Sequence, residues 1–231
     1  MTQKPQIIIR VMNIYAQPCE ERFQEYLEYV SEDKKEKILR YRHMEDALRS
    51  LYGEILIRDF IVREYSIQNA DIKFAEKVDG KPCIKSPEGV KYNISHSDAW
   101  VVCAIGSREI GIDIEKIRSV KTDIIKRSLT KTEYESFLNK SPEDQIDYFF
   151  DLWTLKESYI KYMGEGLSIP LDSFYFTKNE DEIKIIRSEE KPLYFRQYFF
   201  DKNYKFSICS DADCFPAKIE QIDLGNVCLL K

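Results

Sequence analysis

Apolar residues recur every three or four positions over two long stretches of this chain, and several shorter stretches between them read as strands. The first long stretch covers residues 45–65, with Leu48, Leu51, Tyr52, Ile55, Asp59 and Val62 at helical spacing. The second covers residues 142–163, with Ile146, Phe149, Phe150, Trp153 and Ile160 on one stripe. Ser141-Pro142-Glu143-Asp144 is a helix start: a serine N-cap, proline at the first position and acid in the first turn. Gly164 is the matching stop. A shorter helix is predicted over 20–30, where Phe23, Tyr26, Leu27 and Val30 share a face. Ser31 then caps a basic helix carrying Lys34, Lys35, Lys37 and Arg40.

Strands are predicted at 7–15 and in the runs DIKFAE, KYNI and WVVCAI, with an Asp79-Gly80 turn between the first two of those runs. GIDIE, residues 111–115, is the next strand, reached through a tight turn near Gly106-Ser107. The runs SFYFT, EIKII, LYFRQYFF and YKFSICS follow the second long helix. A long helix followed by an antiparallel meander thus appears twice, without sequence identity between the copies. The expected fold class is α+β: two similar halves, 1–108 and 109–231, related by a pseudo-twofold axis. Each is a long helix packed on an antiparallel sheet, with a cleft between them and GIDIE near the seam.

Composition narrows the function classes. The chain has 231 residues, 43% hydrophobic and 32% charged, so it reads as folded and large enough for a sizeable core. A net charge of −5 argues against bulk binding to nucleic acid or anionic membrane, though not against a local basic pocket. The six cysteines (Cys19, Cys83, Cys103, Cys209, Cys214, Cys228) form no C-x-x-C pair and there are two histidines, which disfavours zinc. Cysteines in apolar runs such as WVVCAIG read as free buried thiols. The apolar run near the N-terminus is too short for a signal peptide or a membrane span, so a cytoplasmic location is expected.

Three carboxylates carry the candidate chemistry. Glu157 falls on the apolar stripe between Trp153 and Ile160, where an unpaired carboxylate is costly. The plain alternative is a surface pair with Lys161, one turn on. In a strand, Asp113 and Glu115 of GIDIE share one face, and the plain alternative there is an acidic solvent face. Three carboxylates with no histidine or cysteine suit a hard cation, most naturally Mg2+, which completes its shell with water and substrate phosphate. Lys34, Lys37, Arg49, Ser50, Lys81 and the Ser95-His96 pair, expected at a break between strands, can supply the rest of a phosphate site.

GKPCI at 80–84, YNISHS at 92–97, GIDIE at 111–115 and WTLKESYIKYMGEGLSIPLDSF at 153–174 stand in chain order. This set resembles the surfactin-synthetase type of 4'-phosphopantetheinyl transferase, from about residue 5 to 225. The resemblance implies transfer of the phosphopantetheine arm of coenzyme A to a serine of an acyl or peptidyl carrier protein. Adenosine 3',5'-bisphosphate is the implied leaving group. It implies Mg2+ on Asp113, Glu115 and Glu157, with Glu157 and Lys161 as catalytic groups. The implied coenzyme contacts are Lys34, Lys37, Arg49, Ser50, Lys81, Ser95, His96 and Lys161. Of these, Lys34 and Lys37 are expected to be the most solvated. A monomer serving peptide or polyketide synthetases is implied, with segment 118–138 as a plausible carrier-docking surface. The rival readings are a Mg2+-dependent phosphohydrolase or nuclease, and an inactive coenzyme A-binding module.

Overall fold

The computed structural model describes residues 7–16, 20–76, 80–179, 182–187 and 192–229. Cys19 and Asp79 lie outside them; the other five cysteines are free thiols. The fold is α+β, as expected. The chain divides into two compact units, residues 1–108 with 215–231, and residues 109–214.

The first unit opens with β1 (Ile7–Asn13), α1 (Glu20–Leu27), α2 (Glu32–Leu39) and the long α3 (Met44–Tyr65). Ser31 caps α2 as its sequence demands, accepting from the Lys34 backbone N–H at 3.4 Å. Strands β2 (Lys73–Glu76), β3 (Pro82–Ser86), β4 (Lys91–Ser97) and β5 (Trp100–Gly106) follow. β1, β5 and β4 lie side by side and antiparallel, while β2 and β3 pair as a separate hairpin. The stripe of α3 is buried as its spacing predicts, with Leu51, Tyr52 and Ile55 packed among Phe23, Leu27 and Val101. Asp59 is buried on that stripe too, held by Arg10 at 2.9 Å and by Arg63 at 2.9 Å.

The second unit comprises β6 (Ile110–Lys116), α4 (Thr122–Ser128), α5 (Lys131–Leu138), α6 (Pro142–Met163), β7 (Tyr175–Lys178), β8 (Ile183–Ile186), β9 (Tyr194–Gln197) and β10 (Tyr204–Ser210). Ser141 caps α6, Pro142 opens it, and Gly164 ends it at φ 83° in the left-handed region. β6 pairs with β10, and β10 with β9, all antiparallel; β7 and β8 form a second hairpin. Among the described residues no helix is long and apolar enough to cross a membrane.

Three expectations change. The C-terminal segment 215–231 groups with the first unit, not the second. Its short strand β11 (Glu220–Gln221) adds parallel to β1, and Glu220 pairs with Arg10 at 3.1 Å. The strand β3 was not expected, because Gly80 and Pro82 punctuate it. Ser95 and His96 do not sit at a break: β4 runs through them to Ser97, paired with Trp100 across the hairpin.

Candidate active site

The face of β6 that carries the acids is turned into protein. A Cβ on Gly111 would stand 1.9 Å from the Ser158 carbonyl oxygen and 2.4 Å from the Tyr162 backbone nitrogen. The strand therefore lies directly on α6, and alternation carries Asp113 and Glu115 to that same face. Ile110, Ile112 and Ile114 fill the opposite face and are buried. Asp113 is only 3% exposed, so the acidic solvent face is excluded.

α6 meets these acids with Glu157 and Lys161. Lys161 Nζ donates to Asp113 Oδ1 at 2.7 Å. The Glu157 carboxyl is pushed up to about 6, first by burial and then by the nearby charge of Asp113, with Glu115 adding a smaller push and Lys161 opposing. Asp113, Glu115, Glu157 and Lys161 thus share one place, on a strand and a helix held rigidly together. Lys161 pairs with Asp113 across to β6, and its charge also acts on Glu157. The donors are all oxygens, which is the chemistry of a hard-cation site. Among the described residues no three such side chains stand closed in metal-ligand geometry.

In the first unit β4 runs along α3. A Cβ on Gly53 would lie 3.2 Å from Ile94 Cγ2, so alternation turns His96 towards α3 as well. Arg49 Nη1 donates to the Asp98 carbonyl at 2.8 Å, and Nη2 pairs with Asp46 at 2.6 Å. That bond holds the Asp46 carboxyl below its ordinary range, and His43 and His96 act in the same direction. Arg49, His96 and Asp46 therefore cluster at the start of α3, with Ser50 part-buried beside them.

Lys34 forms a second group. Its Nζ lies 3.7 Å from Glu54, the residue after Gly53. Burial pushes the Lys34 ammonium down, Glu54 pulls it up, and Lys37 and Arg58 add to the downward push. Lys34 is part-buried whereas His96 is exposed, which reverses the expectation that Lys34 is among the most solvated; Lys37 is exposed as expected. Ser95 is buried on the face of β4 opposite His96. Lys81 is half-exposed just before β3.

Residues 109–209 match the family model described as the 4'-phosphopantetheinyl transferase superfamily, and residues 16–108 match 4'-phosphopantetheinyl transferase, N-terminal. The chain is 41% identical over 205 residues to the 4'-phosphopantetheinyl transferase Sfp of Bacillus subtilis (strain 168), covering 88% of this chain and 92% of that relative. The chain belongs to the 4'-phosphopantetheinyl transferase superfamily. The transferase is also 40% identical over 182 residues to 4'-phosphopantetheinyl transferase gsp of Aneurinibacillus migulanus, covering 78% of this chain and 76% of that one. To 4'-phosphopantetheinyl transferase psf-1 of Bacillus pumilus it is 32% identical over 223 residues, covering 94% of each.

Beneath the carboxylates the transferase buries a lysine that sequence reasoning missed. Lys156, next to Glu157, is 0% exposed. It pairs with Glu133 at 2.8 Å and donates to the carbonyls of Leu171 and Phe174, each at 2.7 Å. Glu133 also accepts from the backbone N–H of Thr130 at 2.9 Å and of Phe176 at 3.1 Å. The pair ties α5, α6 and β7 into one body under the site. Lys156 falls on the stripe Phe149–Trp153–Ile160, the same signal that marks Glu157. Replacing Lys156 with methionine leaves a carboxylate buried and is expected to cost about 3 kcal/mol. Denaturant unfolding of K156M against the double variant E133Q/K156M checks this; the double variant is expected to be the more stable of the two.

Proposed function

We propose that the transferase moves the 4'-phosphopantetheine group of coenzyme A onto a serine hydroxyl of an acyl or peptidyl carrier protein, releasing adenosine 3',5'-bisphosphate. The observation that carries this reading is the meeting of Asp113, Glu115, Glu157 and Lys161 on β6 and α6. The serine oxygen forms a bond to the phosphorus that bears the pantetheine arm, and the bond from that phosphorus to the adenosine bisphosphate breaks. Positioning and charge neutralisation supply most of such a transfer. Glu157, with a carboxyl near 6, is suited to take the serine proton directly or through a water. Lys161 holds positive charge where the pyrophosphate oxygens gather it.

Asp113, Glu115 and Glu157 fit Mg2+ by donor chemistry and would hold it together. The ion, when bound, neutralises pyrophosphate charge. Lys34, Lys37, Arg49, Lys81 and His96 bind the coenzyme phosphates, and Ser50 and Ser95 add hydroxyl donors. This gives the unit of residues 1–108 the coenzyme and the unit of residues 109–214 the metal and the chemistry. The implied pseudo-twofold arrangement, with the coenzyme in a cleft between halves, belongs to the same reading. Its support is that each unit builds a 22-residue helix beside an antiparallel sheet. A cytoplasmic monomer is likewise part of it. Segment 118–138 becomes α4 and α5, and a groove of about 380 Å³ beside Glu115 is lined by Val120, Ile124, Phe149 and Trp153. The carrier protein docks there in this reading.

Incubation with coenzyme A and a carrier protein is expected to release adenosine 3',5'-bisphosphate one for one with carrier modified. With a carrier whose acceptor serine is alanine, none is expected. Orthophosphate release, or nucleotide release without carrier, would instead favour a hydrolase. The basic groups lead to a further expectation: 3'-dephospho-coenzyme A is a poorer substrate. Each charge-assisted contact contributes about 1.5–3 kcal/mol when shielded, so kcat/KM is expected to fall roughly tenfold to a hundredfold. Arg49 and Lys34, the less exposed groups, should carry more of this than His96. Equal kcat/KM for the two coenzymes would assign the basic groups to something other than the 3'-phosphate.

A further inference from the structure

β10 places a lysine beside the carboxylate site that no step above uses. In the antiparallel register of β6 and β10, Ser207 lies opposite Asp113 and Lys205 lies opposite Glu115. Opposed residues share a face and hold their Cβ atoms roughly 4.5–5.5 Å apart. An extended lysine there reaches the Glu115 carboxylate with no movement of the backbone. Its ammonium goes elsewhere: Lys205 Nζ bonds to Asp147, and Asp151 Oδ1 is 3.2 Å away. Asp147 and Asp151 are one turn apart on α6, upstream of Glu157. Asp151 is itself anchored, since Gln197 Nε2 donates to its carbonyl at 3.1 Å.

We propose that Asp147 and Asp151 are positioning residues that hold the Lys205 ammonium off Glu115, so that Glu115 serves a bound cation. The proposal rests on the assignment of Asp113, Glu115 and Glu157 as ligands. A unit positive charge on Glu115 would neutralise one of three donors and repel a dication at close range. One acid on α6 would share the lysine with Glu115 on equal terms; two acids on successive turns outweigh it.

The test is Mn2+ binding to the full chain by calorimetry, without substrate. Wild type, D147N/D151N, K205M and the triple variant D147N/D151N/K205M form a cycle, with D113A as the blank. Binding is expected to weaken about tenfold in D147N/D151N, and K205M to restore most of it there while changing wild type by about threefold or less. Simple loss of negative field predicts instead that K205M shifts affinity by the same factor in both backgrounds, and that result overturns the proposal while leaving the metal site intact. If wild type binds Mn2+ no better than D113A, the ligand assignment itself fails. Asp147 is half exposed, so D147N alone is a second variant that keeps the fold, and a smaller shift in the same direction is expected from it. An unchanged affinity in both D147N and D147N/D151N also overturns the proposal.

Discussion

Replacing Asp113 with alanine is expected to lower phosphopantetheine transfer by at least about a hundredfold while the protein stays folded. Asp113 is 3% exposed, stands on the face of β6 that packs against α6, and holds Lys161 at 2.7 Å. Removing it takes away a central oxygen donor and releases Lys161 from its position at once. The fold is expected to tolerate the loss. The Lys161 side chain is 28% exposed and re-solvates, while the charge that burdens Glu157 most among its neighbours disappears. A change in unfolding free energy of no more than about 1–2 kcal/mol is expected. Activity per folded molecule, with circular dichroism as the check on folding, measures both. Near-wild-type turnover by folded D113A would remove β6 from the chemistry.

Gly111→Ala is expected to be the most damaging single methyl group in the second unit. The added carbon would meet backbone, not a side chain that can turn away: 1.9 Å to the Ser158 carbonyl, 2.4 Å to the Tyr162 nitrogen and 2.9 Å to its Cα. Normal contacts need more than 1 Å of extra separation between β6 and α6, roughly the distance from clash to van der Waals contact. Both elements are locked by other packing, β6 by its full pairing with β10 and α6 by the Lys156–Glu133 pair. The cost is expected to exceed the usual 1–3 kcal/mol of overpacking, by about as much again. Loss of the cooperative unfolding transition, or a melting point lowered by well over 10 °C, is the expected readout. A G111A protein of wild-type stability would mean that β6 and α6 do not touch at this position.

The parts of the fold that were legible are those written in one period with punctuation at both ends. α3 and α6 carry long apolar stripes, and Ser141-Pro142 and Gly164 mark α6 to the residue. Strands that lack alternation were not legible. β3 reads as turn because Gly80 and Pro82 open it, yet a proline is tolerated there in a two-stranded hairpin. The polar Ser95-His96-Ser97 reads as a break because such residues favour turns, but pairing with β5 carries the strand through them. β11, two residues long, has no period at all; its place is set by Arg10, whose partners Asp59 and Glu220 are distant in sequence. In the site, Asp113, Glu115 and Glu157 stood out as acids on apolar patterns, and burial with mutual repulsion explains why they did. Lys156 escaped notice because lysines on helices are usually solvated, and its partners Glu133, Leu171 and Phe174 are far along the chain.

The most direct test of the central assignment is the intact mass of an apo carrier protein incubated with coenzyme A, Mg2+ and the transferase. When the reaction is sampled as wild-type enzyme has just converted the carrier, the account predicts a gain of one phosphopantetheine mass with wild type, about a hundredth of that conversion or less with D113A, and none after chelation of the metal. An unmodified carrier with wild-type enzyme, or full modification by D113A, would contradict it.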